Sequence, residues 1–194
     1  MKVLIGAGGL ATDFLTYLKS AYCVDIVDDF KTGDLLGHPI IGTMEHFIKG
    51  TLKDRYWKGQ AEAYICIGSC GDNSARNRVF SKLKKAGIDV KNVVMSSFIS
   101  KDVVFGENVL ANIGSQIHHG CTVSDNVVIS PGVIICGDCG IHDNVFIGAG
   151  STIIQGIQIG ENSIIAAGAT VTRNIPPNEI WGGVPSRFIK SHER

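Results

Sequence analysis

From Ile99 onward an apolar side chain recurs at every sixth position: Ile99, Phe105, Ala111, Ile117, Val123 and so on to Ile165 and Val171. A second, smaller series falls four positions after each, through Val109, Ser115, Cys121, Val127, Val133, Cys139 and Val145 to Ser163 and Ala169. Glycines such as Gly106, Gly114, Gly148, Gly160 and Gly168 punctuate the turns. An α-helix repeats every 3.6 residues and a strand every 2, so neither gives this spacing. A triangular coil does. Each hexapeptide supplies one flat side and a corner, and three sides close a coil of about 18 residues. The large aliphatic fills the prism and the small residue packs beside it. Successive coils stack as parallel strands about 4.8 Å apart. The expected fold is a left-handed parallel β-helix over 98–194, capped near Pro176-Pro177 and the tail that follows.

Residues 1–97 follow another grammar. Lys2–Ile5 is a short apolar strand, followed by the turn Gly6-Ala7-Gly8-Gly9. Leu10–Ala21 has helical spacing, with Leu10, Phe14, Leu15 and Leu18 on one face. Tyr22–Val27 is a second strand ending in Asp28-Asp29, and Ala63–Ile67 a third, ending at Gly68. Asn73–Ala86 is helical, with Val79, Phe80 and Leu83 inward and a basic outer face; Val93-Val94 is expected to add a fourth strand. This β-α-β order predicts an α/β domain, a small Rossmann-like parallel sheet covered by helices.

Composition excludes several function classes. The 194 residues carry 18 Lys+Arg against 18 Asp+Glu, so no basic field points to nucleic acid or an anionic membrane. No apolar stretch is long enough for a membrane-spanning helix. The N-terminal run stops at Gly6, too short for a signal peptide. A cytoplasmic protein with reduced cysteines is expected.

Gly6-Ala7-Gly8-Gly9, Val27-Asp28-Asp29, Ile117-His118-His119, Ile129-Ser130-Pro131-Gly132 and Gly183-Val184-Pro185-Ser186-Arg187 together carry a resemblance. The chain resembles, over nearly its whole length, the nucleotide-sugar acetyltransferases of the sialic-acid O-acetyltransferase and bacillosamine-pathway N-acetyltransferase type. That resemblance implies a homotrimer serving polysaccharide biosynthesis. It also implies acetyl-CoA as co-substrate in a groove between neighbouring β-helices, and a nucleotide-linked amino sugar or sialic acid as acceptor.

Acetyl transfer from a thioester needs a base for the acceptor's proton and donors for the developing oxyanion. Histidine is the usual base near neutral pH. His118 follows the inward Ile117, and His119 lies at the corner; the family pattern makes His119 the base and His118 the secondary candidate. Family members commonly place Asp or Glu directly after that histidine, where this chain has Gly120. Some carry a second histidine where this chain has Val128. The ring either acts without that carboxylate or takes a nearby one such as Asp125. Gly137 stands one coil beyond His119 at the same corner, where its backbone can approach a thioester and hold the oxyanion.

Gly6, Gly8 and Gly9 form a G-x-G-x-x-A turn between strand and helix, suited to phosphate, with Asp28, Asp29 and Gly68 as further substrate contacts. The same turn suits NAD. The domain has only about half of a dinucleotide fold, which favours a nucleotide sugar. Gly183, Pro185 and Arg187 resemble the tail that lines the CoA channel, where Arg187 meets a phosphate. Cys136-Gly137-Asp138-Cys139 lacks the second cysteine pair of a zinc site, and no metal is expected. The expected activity is N-acetylation of a nucleotide-linked amino sugar. The alternatives are O-acetylation of sialic acid or a related sugar, and a non-catalytic nucleotide-sugar-binding protein.

Overall fold

The computed structural model describes residues 2–18, 24–49, 62–68, 71, 73–96 and 98–192. The chain forms two compact units, Met1–Ser69 with Ser74–Val93, and Cys70–Asn73 with Val94–Arg194.

The first unit is α/β. Its strands are β1 (Lys2–Ile5), β2 (Val24–Val27), β3 (Gly33–Leu35), β4 (His38–Gly42), β5 (Glu62–Ile65) and β6 (Asp89–Lys91), in the sheet order β3-β4-β2-β1-β5-β6. All neighbours are parallel except β3 with β4. β1 is central, and Val3, Leu4 and Ile5 are all buried, as a strand covered on both faces requires. Helix α1 (Gly9–Tyr17) buries Ala11, Phe14 and Leu15. Helix α2 (Met44–Lys49) buries Met44 and Phe47. Helix α3 (Ser74–Lys85) buries Arg76, Val79 and Leu83.

Two sequence expectations are corrected by the structure, and two elements are added to them. The edge strand of this sheet is β6, whereas Val93-Val94 pairs into a face of the β-helix. The hairpin β3–β4 and helix α2 were not read from the sequence: β3 is mostly exposed, β4 mostly half-buried, and α2 is only six residues long with two of them buried. Arg76 is not on the basic outer face; it is fully buried and donates to the Ile65 carbonyl. The expected ends of the first helix at Ala21 and of the second strand at Tyr22 lie outside the described residues.

The second unit is the left-handed parallel β-helix. Two-residue strands run from β7 (Val93–Val94) to β20 (Thr170–Val171) and stack into three sheets, one per prism side. The register advances by one coil at every pairing: Ile117 faces Ile135, Ile135 faces Ile153, and Ile153 faces Val171. From Ala111 to Val171 the six-residue series is buried throughout, as is the smaller series from Val109 to Ala169. Truncating one such isoleucine to alanine costs about 2–5 kcal/mol. Cys121 and Cys139 sit in this core as small apolar residues.

One corner carries an asparagine ladder. Asn108, Asn126, Asn144, Asn162 and Asn178 all have φ between 55° and 60°. Each of the first four donates its side-chain amide to the carbonyl oxygen of the next, at 2.8 to 3.1 Å. Asparagine tolerates this left-handed backbone because its short polar side chain bonds locally. Asn73 joins by donating to the Asn144 and Val145 carbonyls. The last coil is closed by Trp181 on β21 (Glu179–Gly182), against which Phe188 of β22 (Arg187–Ser191) packs edge-on.

Candidate active site and nucleotide pocket

The β-helix corner that follows Gln116–Ile117 carries the two histidines singled out from the sequence. His118 leaves the strand along the prism side, and its ring lies 5.3 Å from that of Phe98. His119 enters the turn itself, with 61% of its side chain exposed. Its imidazole lies over Gly137: a Cβ on Gly137 would stand 2.5 Å from Nε2. Glycine at 137 is therefore what gives the ring its place. The Gly137 N–H meets no acceptor among the described residues. The two histidines thus face different surroundings, and only His119 shares the corner with Gly137.

Two carboxylates border this corner. Asp102 accepts from the Ser100 hydroxyl at 2.7 Å and from the Gly120 N–H at 2.9 Å, and these bonds hold its carboxyl below the ordinary value. Asp138 reaches back from the next coil: its Oδ2 lies 3.9 Å from His119 Nε2 and accepts from Gln155 Nε2 at 2.9 Å. Sequence reasoning missed Asp138, Gln155 and Asp102. The available signal was the coil length, since Asp138 falls one coil after Gly120. Asp125 serves a different corner, where it accepts from the Glu107 N–H at 2.7 Å.

The Gly183–Arg187 segment folds onto the final coil. Gly183 has φ +94° and accepts from the Thr170 N–H; the Ser186 N–H donates to the Thr170 carbonyl. Pro185 follows a cis bond, and the exposed Arg187 donates to the Ser186 carbonyl at 3.0 Å.

In the first unit a cavity of about 400 Å³ opens where β1 and β2 end. Gly6, Gly8, Asp28, Asp29 and Gly68 line it; Gly9, exposed at the start of α1, does not. Gly6 has φ +102° and passes so close to Cys66 that a Cβ would stand 3.2 Å from its carbonyl oxygen. The Gly9 and Leu10 N–H groups, at the N-terminus of α1, meet no acceptor among the described residues. Asp28 accepts from the Ala7, Phe30 and Lys31 amides. Burial raises its carboxyl pKa, but those three donors and the Lys31 charge outweigh it, so the net value is lowered. Asp29 accepts the Met44 N–H at the start of α2.

Arg78 and Lys82 of α3 bring positive charge to the same cavity, and Phe30 at its wall is 96% exposed. None of the three was singled out from sequence, because a charged helix face and a loop aromatic have no motif. Burial pushes the Cys66 thiol up to about 12, so this wall is neutral. No group of three or more His, Cys, Asp or Glu among the described residues is arranged to hold a metal.

The family description "Bacterial transferase hexapeptide (six repeats)" matches residues 138–173. Over those residues the chain carries the hexapeptide repeat of bacterial transferases. No curated protein matches it in sequence. Among solved structures, PerB from Caulobacter crescentus in complex with CoA and GDP-perosamine is 25% identical, with 97% of each chain covered and a TM-score of 0.78. The acetyltransferase domain of PglB from Neisseria gonorrhoeae in complex with acetyl coenzyme A is 19% identical, covering 97% of this chain and 98% of its own, with a TM-score of 0.77. WeeI from Acinetobacter baumannii is 23% identical, covering 97% and 99%, with a TM-score of 0.73. The last two share the fold alone. The family resemblance read from the sequence is borne out. No helix among the described residues is long and apolar enough to cross a membrane.

Proposed function

We propose that this hexapeptide-repeat protein transfers the acetyl group of acetyl-CoA to the amine of a nucleotide-linked amino sugar in the cytoplasm. The observation that carries the proposal is the exposed His119 imidazole seated over Gly137 at a β-helix corner. The whole-length likeness to PerB supports the substrate class. His119 takes the proton as the amine attacks the thioester carbonyl, and the Gly137 N–H holds the oxyanion. Collapse of the tetrahedral intermediate breaks the C–S bond and expels the CoA thiolate, which receives that proton from His119. His118, against Phe98, shapes the approach. Gly183, Pro185 and Arg187 hold CoA, with the guanidinium toward a phosphate.

The first unit holds the nucleotide in a Rossmann-like manner. The glycine turn and the α1 N-terminus receive a phosphate together with Arg78 and Lys82, and Phe30 offers its open ring to the base. Each acceptor then needs two sites, and a homotrimer of parallel β-helices completes three acetyl-CoA grooves.

The test is CoA release from acetyl-CoA with a panel of nucleotide sugars that present either an amine or only hydroxyls. Release with the amino sugars alone is expected. Release with sialic acid or hydroxyl acceptors replaces this reading with O-acetylation. Tight nucleotide binding without release replaces it with a binding protein.

A further inference from the structure

We propose that Asp138 is the carboxylate that positions His119, delivered from the neighbouring coil instead of from the residue that follows the histidine. The inference rests on the reading of His119 as the base. It adds a positioning residue that the chain's own order does not reveal.

Gly120 and Asp138 occupy the same place in successive coils, and both have left-handed backbone, with φ +67° and +60°. A Cβ on Gly120 would land on Asp138 Oδ1. The glycine leaves open the space that the Asp138 carboxylate fills. The backbone fixes the pairing as well, because the Asp138 N–H donates to the His119 carbonyl at 2.8 Å. On its far side the carboxylate is held by Gln155. Asp102, the other carboxylate of the corner, is bonded to Ser100 and Gly120.

At 3.9 Å the carboxylate faces Nε2 beyond hydrogen-bond distance, and a modest ring rotation closes the gap. In neutral imidazole one nitrogen carries the proton and the other accepts. A carboxylate facing Nε2 favours the proton there and leaves Nδ1 as the basic nitrogen. Asp138 thus acts through the ring, without touching substrate.

The experiment combines ring-nitrogen NMR of ¹⁵N-histidine-labelled protein with turnover of acetyl-CoA and GDP-perosamine as probes. In the wild type His119 is expected in one dominant neutral tautomer, and in Asp138→Asn as a mixture. Turnover is expected to fall about 10- to 100-fold in kcat with both KM values nearly unchanged, the scale on which the hydrogen-bond partners that orient a metal-bound histidine act. Gly120→Asp alone is expected to lose activity, since its side chain meets Asp138. Gly120→Asp combined with Asp138→Gly moves the carboxylate back one coil onto a backbone that both residues tolerate, and is expected to recover kcat relative to Asp138→Asn.

An unchanged tautomer and unchanged kcat in Asp138→Asn, with His119→Ala inactive, overturns the role of Asp138 and leaves the base in place. Full turnover by His119→Ala overturns the base itself. The spectrum decides the role of Asp138 even where GDP-perosamine is not turned over.

Discussion

Asp28 Oδ2 accepts the Ala7 amide at 2.7 Å, so the end of β2 holds the glycine turn that follows β1. Lys31 Nζ adds a second tie by donating to the Ala7 carbonyl at 2.7 Å. Asp28 is thereby a brace for the turn as well as a wall of the cavity. Its folded-state carboxyl pKa is lowered from 3.8, so its support is fully present above that value and lost as pH falls through the folded one. Nucleotide affinity is expected to be insensitive to this group from neutral pH down to about 4. Asp28→Asn is expected to weaken GDP binding at neutral pH, measured by calorimetry, while leaving CoA binding unchanged.

Gly8 has ordinary extended-side backbone, with φ −90°, and open space around a Cβ. Gly8→Val therefore leaves the fold intact and places its branch in the path of a phosphate. Nucleotide-sugar affinity is expected to drop by about tenfold or more, the loss of roughly one charged hydrogen bond. A parallel loss of CoA affinity would show that the variant disturbs more than the turn.

The adjacent histidines are expected to separate cleanly. His119→Ala removes the proposed base and should lower kcat by on the order of 10²–10⁴-fold, with nucleotide and CoA affinities kept. His118→Ala removes only a ring packed on Phe98 and should cost far less. The opposite ranking in steady-state assays would assign the base to His118.

Gly137→Ala tests the seat of the ring. The backbone there is not left-handed, so alanine is compatible with the turn, but its methyl group displaces His119. A loss in kcat of about tenfold or more is expected, since a misplacement near 1 Å costs up to 10²-fold. The thermal melt should stay near that of the wild type.

Light scattering at micromolar concentration is expected to give about three times the 20.7 kDa chain mass. Phe98, Val104 and Ile113 leave apolar surface exposed on the single β-helix, which an assembly would cover. A fully active monomer would remove the shared-groove arrangement.

The β-helix was legible because its period of six matches no other regular structure, and each inward residue from Ala111 to Val171 is buried as read. The α/β unit was legible where β1 and α1 carry strong apolar patterns. It was not legible at the half-exposed β3 and β4, nor at the edge, where two short valine-containing stretches compete and Asp89–Lys91 pairs with β5. The site was half visible. That His119 and Gly137 share one corner was legible from the repeat, and the ring does lie against that glycine. Asp138 is not adjacent to His119 along the chain; the fold brings the two together across coils. The asparagine ladder was not legible for the same reason.

That ladder ties the length of the chain to its chemistry. Each asparagine amide bonds the asparagine of the adjoining coil, and the corner bearing His119 advances by the same coils. A single-residue insertion within a strand between Asn126 and Asn144 would turn the side chains that follow off their corner, whereas a change at a corner can be absorbed, as the 16-residue step from Asn162 to Asn178 shows. An insertion of one whole coil of 18 residues would leave the pitch unbroken. Natural length variants of this molecule should therefore grow or shrink in whole coils, with smaller changes confined to corner loops that bulge outward without advancing the thread.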